Sequence, residues 1–187
     1  MTLYEMKKKV LGLIEELNPD SDLLTDDPDI ATKINDVTNQ VMFELVRMKK
    51  LPKYVELEVN EGDIIDFAAI EKECGYEVYQ VSLIAGVKYA PKANGTVFKM
   101  QESGTAEIDC FVYPESITSK TKDKAYEFEL SPDVLEIMPY GIAADLLKSD
   151  VSSGYGNVYA ERYETMLQRL DPRYQMTSIY IEGGVTV

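Results

Sequence analysis

The spacing of apolar residues changes twice along this 187-residue chain, and those two changes limit what it can fold into more than any other feature. Up to Pro52, apolar side chains recur at three- and four-residue spacing, as on a helix with one buried face. From Lys53 to Leu130 they alternate, as in half-buried strands. From Ser131 the helical spacing returns. The pattern predicts an α+β chain in which residues 1–52 and 131–176 supply four helical segments to one core. Residues 53–130 form a small antiparallel β-module, a sandwich or a barrel, inserted between them. Residues 177–187 are left as an extended C-terminal arm.

Within the first helical stretch, Leu3, Met6, Val10, Leu13, Ile14 and Leu17 share one face of a helix over Thr2–Leu17. Thr2 and Glu5 have the spacing of a capping box, and Asn18-Pro19 ends the helix. Lys7, Lys8 and Lys9 read as a solvated face. A second helix starts at Asp27, with Pro28 at its first position, and runs to about Lys50 through Ile30, Ile34, Val37, Val41, Leu45 and Met48. Arg47, Lys49, Lys50 and Lys53 lie at or past its C-terminus, where cations complement the helix dipole. Between the helices, Glu15–Asp29 holds seven acidic residues and no basic one. It lacks the Gly and the final Glu of a calcium loop, because Thr25 and Ala31 stand there, so it reads as surface loop and no metal or cofactor is implied.

In the β stretch, Val55, Leu57 and Val59 alternate with Glu56 and Glu58. Val78, Val81, Leu83 and Ile84 mark a second strand region after a turn at Cys74-Gly75. Ala106, Ile108, Cys110 and Val112 alternate with Glu107, Asp109 and Phe111, and Tyr126, Phe128 and Leu130 with Glu127 and Glu129. Asn94-Gly95 is a hairpin signal. Residues 118–124, TSKTKDK, read as an exposed, mobile loop.

The second helical stretch is a hairpin. Ser131 is placed to cap it, Pro132 suits the first position, and Val134, Ile137, Met138, Ile142 and Leu146 form a buried face. Pro139 removes a backbone donor, so a kink or a restart is expected there. Gly141, Ala143 and Ala144 leave room for another backbone. After the connector at residues 152–156, SSGYG, a last helix presents Tyr159, Tyr163, Met166 and Leu170 and stops at Pro172.

Composition narrows the function. The net charge of −14 opposes a groove that grips nucleic acid, since phosphate contact needs clustered Lys and Arg. It suits the wall of a pore that DNA crosses without sticking, and equally suits simple solubility. There is no His, the commonest general base and metal ligand. No nucleophile elbow, P-loop, zinc-protease or dinucleotide fingerprint occurs, which leaves a structural protein ahead of an enzyme. Thirteen tyrosines suit half-buried strands and protein interfaces. Cys74 and Cys110, the only cysteines, form no CxxC and read as core filler in a reducing compartment. No apolar run is long enough to span a membrane.

The hairpin also carries a resemblance. A Pro followed by Tyr and small residues (Pro139, Tyr140, Gly141), a Lys-Ser-Asp end at Lys148–Asp150, a helix reading NVYAERYETMLQRLD, and a short apolar tail with Gly-Gly together resemble the head–tail connector (portal adaptor, or neck) proteins of tailed bacteriophages. The resemblance covers roughly residues 1–50 and 130–187. It implies a structural virion protein of the neck region, assembled in the host cytoplasm. About twelve copies would form a ring under the portal protein, against tail or neck proteins, with DNA passing through the channel. From pattern alone the β-prone Thr177–Val187 either pairs with the module's own sheet or adds a strand to a neighbour. The resemblance favours the neighbour and makes Ile179, Tyr180, Ile181, Glu182, Gly183 and Gly184 the portal-binding residues. A tail-completion protein, a carbohydrate- or protein-binding module and, more distantly, an acidic glycan hydrolase are the competing readings.

Overall fold

The structure is a computed structural model that describes residues 1–149 and 154–170. The chain is mixed α/β, with five α-helices and two separate three-stranded antiparallel sheets among the described residues. It divides into two compact units: Met1–Lys49 with the chain from Ile117 onward, and Lys50–Ser116.

In the first unit α1 spans Leu3–Leu13, α2 Pro28–Met48, α4 Pro132–Leu146 and α5 Tyr155–Leu170. Thr2 and Glu5 form the expected capping box, each side chain serving the other's backbone N–H. The helix ends well before Leu17, because Glu15 adopts a left-handed φ of 62°. Asp27 caps α2 by accepting from the N–H groups of Asp29 and Ile30. The acidic loop before it is more than surface: Leu24 is buried and accepts through its carbonyl from the Asn18 N–H. Lys7 departs from its expected solvated face. It is buried, and its ammonium lies 2.8 Å from Asp123.

That contact belongs to a larger correction. The segment from Ile117 to Leu130 belongs to the helical unit and not to the β-module. Its alternating Tyr126, Phe128 and Leu130 form no sheet strand; one bridge joins Glu127 to Thr2. The Leu3 N–H donates to the Tyr126 carbonyl and the Phe128 N–H to the Met1 carbonyl, so the segment is used up in holding the chain's start. Residues 118–124 are mostly exposed, as expected, but the loop is tied down at Asp123, whose carbonyl accepts from the Tyr4 N–H, and just before it, where buried Ile117 exchanges two 2.8 Å hydrogen bonds with the Asn39 side chain.

α4 packs against α1, α2 and α5. Val134, Ile137, Met138 and Ile142 are buried as their spacing predicts. Pro139 does not restart the helix: α4 runs through it as one element, so a single missing N–H is tolerated within a buried helix. Ser131 occupies the N-cap position with extended backbone, but its hydroxyl makes no capping bond. The Lys49 ammonium just past α2 lies 3.0 Å from Asp133 in the first turn of α4, so one pair complements two helix ends.

The second unit holds β1 (Pro52–Val59), β2 (Ile64–Asp66), α3 (Phe67–Cys74), β3 (Val78–Ala85), β4 (Tyr89–Lys92), β5 (Val97–Met100) and β6 (Gly104–Val112). One sheet has the order β1-β6-β3 and the other β2-β5-β4, so they form no closed barrel. Asn94 and Gly95 take positive φ between β4 and β5, the hairpin their pairing predicts. α3 was not anticipated, although Asp66 caps it and Gly75 closes it in the left-handed conformation. Val55, Ile65, Ile70, Phe98, Met100 and Ile108 lie in the core of this unit.

Candidate functional site

Sequence reasoning placed the partner-binding residues at Ile179, Tyr180, Ile181, Glu182, Gly183 and Gly184, all of which lie outside the described residues. What the structure describes are two surfaces, one on each unit.

On the helical unit the surface is built by α4 and α5. Gly141 meets the ring of Tyr163: a Cβ added there would fall 2.7 Å from Cε2 and 2.9 Å from Cζ. The close approach expected at this small residue is made by an aromatic ring and not by a backbone. The Tyr163 hydroxyl donates to Glu44 Oε2 on α2 at 3.1 Å, and burial followed by that carboxylate pushes the phenol far above its ordinary range. One turn earlier, the Tyr159 hydroxyl donates to the carbonyl of Leu13, which ties α5 to the end of α1. The Arg162 guanidinium stacks 4.3 Å above the Tyr140 ring. Beside these contacts opens a cleft of about 160 Å³, lined by Leu13, Ile14, Glu15, Glu16, Leu147, Tyr155 and Tyr159. Tyr155, in its lining, is 65% exposed, and Val158 on the same helix is 57% exposed, large apolar groups that an isolated subunit leaves in water.

On the β unit the surface is the outward face of β1 and β6. The register sets Tyr54 opposite Asp109, Glu56 opposite Glu107 and Glu58 opposite Thr105. Carboxylates directly opposite each other repel, so the Glu56–Glu107 pair works against the sheet that carries it. Local hydroxyls relieve part of this. Tyr54 donates to Glu56 at 2.7 Å and Thr105 to Glu58 at 2.6 Å. The Tyr54 phenol is pushed up to about 12, first by its bond to Glu56, then by partial burial and the charge of Glu107. Among the described residues, none of these four carboxylates is in a salt bridge. A face of this kind lowers the local concentration of phosphate and raises that of cations.

Among the described residues no group of three His, Cys, Asp or Glu side chains is placed to hold a metal, and no helix is long and apolar enough to cross a membrane. Gly141, as a small residue within a helix, signalled a close approach in the sequence, though not that Tyr163 makes it. The exposure of Tyr155 and Val158 had no such signal.

Comparison with models of known protein families, and with the sequences of curated proteins, finds no match to either.

Proposed function

We propose that this chain is a head–tail connector subunit of a tailed bacteriophage, a structural virion protein. On this reading it assembles in the host cytoplasm into a ring of about twelve copies under the portal, and DNA passes through the ring. One observation carries the reading. Among the described residues, those that bear the resemblance, up to Lys49 and from 130 to 170, belong to one compact unit, from which Lys50–Ser116 is set apart as a β unit. The two surfaces give that reading a mechanism. Copies pack through the helical unit, covering the exposed Tyr155 and Val158 of α5. The acidic sheet face then repels the DNA backbone, by an interaction that salt screens over roughly 8 Å at physiological ionic strength. The arm at Thr177–Val187 supplies the attachment to the portal. Extended, its eleven residues reach at most about 35 Å, enough to cross a neighbouring subunit.

Removal of residues 177–187 tests the arm. The full chain is expected to co-sediment with portal rings, and the truncated chain to bind them at least about tenfold more weakly, a loss of about 1.4 kcal/mol. Its circular dichroism and Tm are expected to stay unchanged. A truncated chain that unfolds places the arm in the subunit's own core. A truncated chain that binds normally makes the arm dispensable, and failure of both chains to bind removes the connector reading itself.

A further inference from the structure

The two ends of α1 carry opposite charge. At its start two ammoniums approach the Tyr4 ring, Lys8 at 5.7 Å and Lys124 at 5.1 Å from the centroid. Lys120 and Lys122 are exposed on the loop that the Tyr4 N–H holds at Asp123. Three carboxylates lie nearby. Glu5 accepts from the Thr2 N–H and Asp123 pairs with Lys7, while Glu127 stands beside Thr2. Among the described residues, Lys8, Lys120, Lys122 and Lys124 are in no salt bridge.

At the other end Glu15 and Glu16 are exposed, and among the described residues neither is in a salt bridge. They stand just past the C-terminus of α1, where the helix dipole favours cations, so their sign does nothing for the helix. Both line the cleft of about 160 Å³ beside the exposed ring of Tyr155. A volume below the roughly 300 Å³ of a small-molecule site suits the side chains of another protein instead. Lys148, next to the lining residue Leu147, is held 3.8 Å from Asp145. Both ends of α1 lie in the helical unit.

We infer that copies of this chain join head to tail, with the basic end of α1 in one copy seated in the acidic cleft of the next. The inference rests on the reading that copies pack through the helical unit, and it names what covers Tyr155. Charge complementarity selects a second copy as the occupant. One end offers ammoniums on flexible stems, and the other offers unpaired carboxylates beside a bare aromatic ring. The chain already seats lysine on tyrosine at Tyr4. An ammonium of the next copy takes the same place over Tyr155, with Glu15 and Glu16 as its counter-charges. The two ends do not meet within one copy, because Tyr4 and Leu13 stand about 14 Å apart along α1. A contact between two different surfaces is heterologous, and it generates a ring when the rotation from copy to copy closes.

The test reverses each end in the full chain, alone and on portal rings. Glu15→Lys with Glu16→Lys removes the acidic end, and Lys8→Glu with Lys124→Glu removes the basic one. By sedimentation velocity, each variant alone is expected to self-associate at least about tenfold more weakly than the wild type. Mixed in equal amounts, the two variants are expected to recover association, because each reversed end meets its opposite on the other variant. In the wild type, half of it labelled with heavy nitrogen, a zero-length carbodiimide cross-linker is expected to join Lys8 or Lys124 of one copy to Glu15 or Glu16 of another. Variants that associate like the wild type, no recovery on mixing, or interchain cross-links that run to Glu56 or Glu107 instead would each overturn the inference and leave the ring reading standing. A wild-type chain that never associates, alone or on portal rings, would remove that reading and the inference with it. The cross-link map decides the matter even if a charge-reversed variant fails to fold.

Discussion

Replacing Gly141 by Leu is expected to lower the stability of the helical unit by about 2–3 kcal/mol, the upper range for forcing a larger side chain into a packed site. The position is in the interior of α4, where glycine itself costs about 0.8–1 kcal/mol relative to alanine, so intrinsic propensity would favour the change. Packing decides against it. The first carbon of the new side chain would meet the Tyr163 ring at 2.7–3.0 Å, and that ring is held by burial and by its bond to Glu44. A fall of 2–3 kcal/mol corresponds to roughly 5–10 °C in the Tm of a chain of this size. A double-mutant cycle with the smaller change Gly141→Ala separates the cause. Tyr163→Ala alone should cost about 3–5 kcal/mol. Once the ring is gone, Gly141→Ala should turn from destabilising to neutral or stabilising, a coupling of at least about 1 kcal/mol. Additivity in that cycle would mean that the two helices do not meet as described.

The second large effect is expected in the β unit. Gly86 has φ +81°, and an added Cβ would fall 2.4 Å from the backbone carbonyl oxygen of Thr105. Backbone cannot turn aside as a side chain can, so the turn after β3 must open. Gly86→Ala should therefore cost the strain of a left-handed alanine, about 1–2 kcal/mol, and a steric cost of similar size, about 3 kcal/mol in all. Gly75 is the control. Its φ of +77° is nearly the same, but nothing lies within 4 Å of its Cβ position. Gly75→Ala should show the conformational part alone, about 1 kcal/mol. The difference between the two variants, read from chemical denaturation of each, measures the close approach. Equal losses at both sites would remove the steric argument.

These two glycines also mark what sequence could and could not supply. The change from helical to alternating spacing near Pro52 was legible because both periods are properties of a single segment and need no partner. The caps at Thr2 and Asp27 and the hairpin at Asn94-Gly95 were legible for the same reason. α3 was missed because its eight residues sit among strands, where the alternation on either side masks a short helix between Asp66 and Gly75. The segment around Tyr126 and Phe128 alternates as a strand does, but the fold sends it to the N-terminal residues, and periodicity cannot name a partner. Lys7 was misplaced by the same gap, since its half-buried partner Asp123 is 116 residues away. Of the candidate surfaces, the acidic residues of β1 and β6 were visible as alternating glutamates, but their face-to-face register was not.

The connector proposal stands most directly on assembly. The mass and shape of the purified chain, by light scattering across a concentration series and by electron microscopy with and without portal rings, test it in one experiment. The account predicts closed rings of cyclic symmetry, with a mass about twelve times the 21.1 kDa of one chain, formed alone or on portal rings. A chain that remains a monomer at every concentration and ignores every portal ring would contradict it.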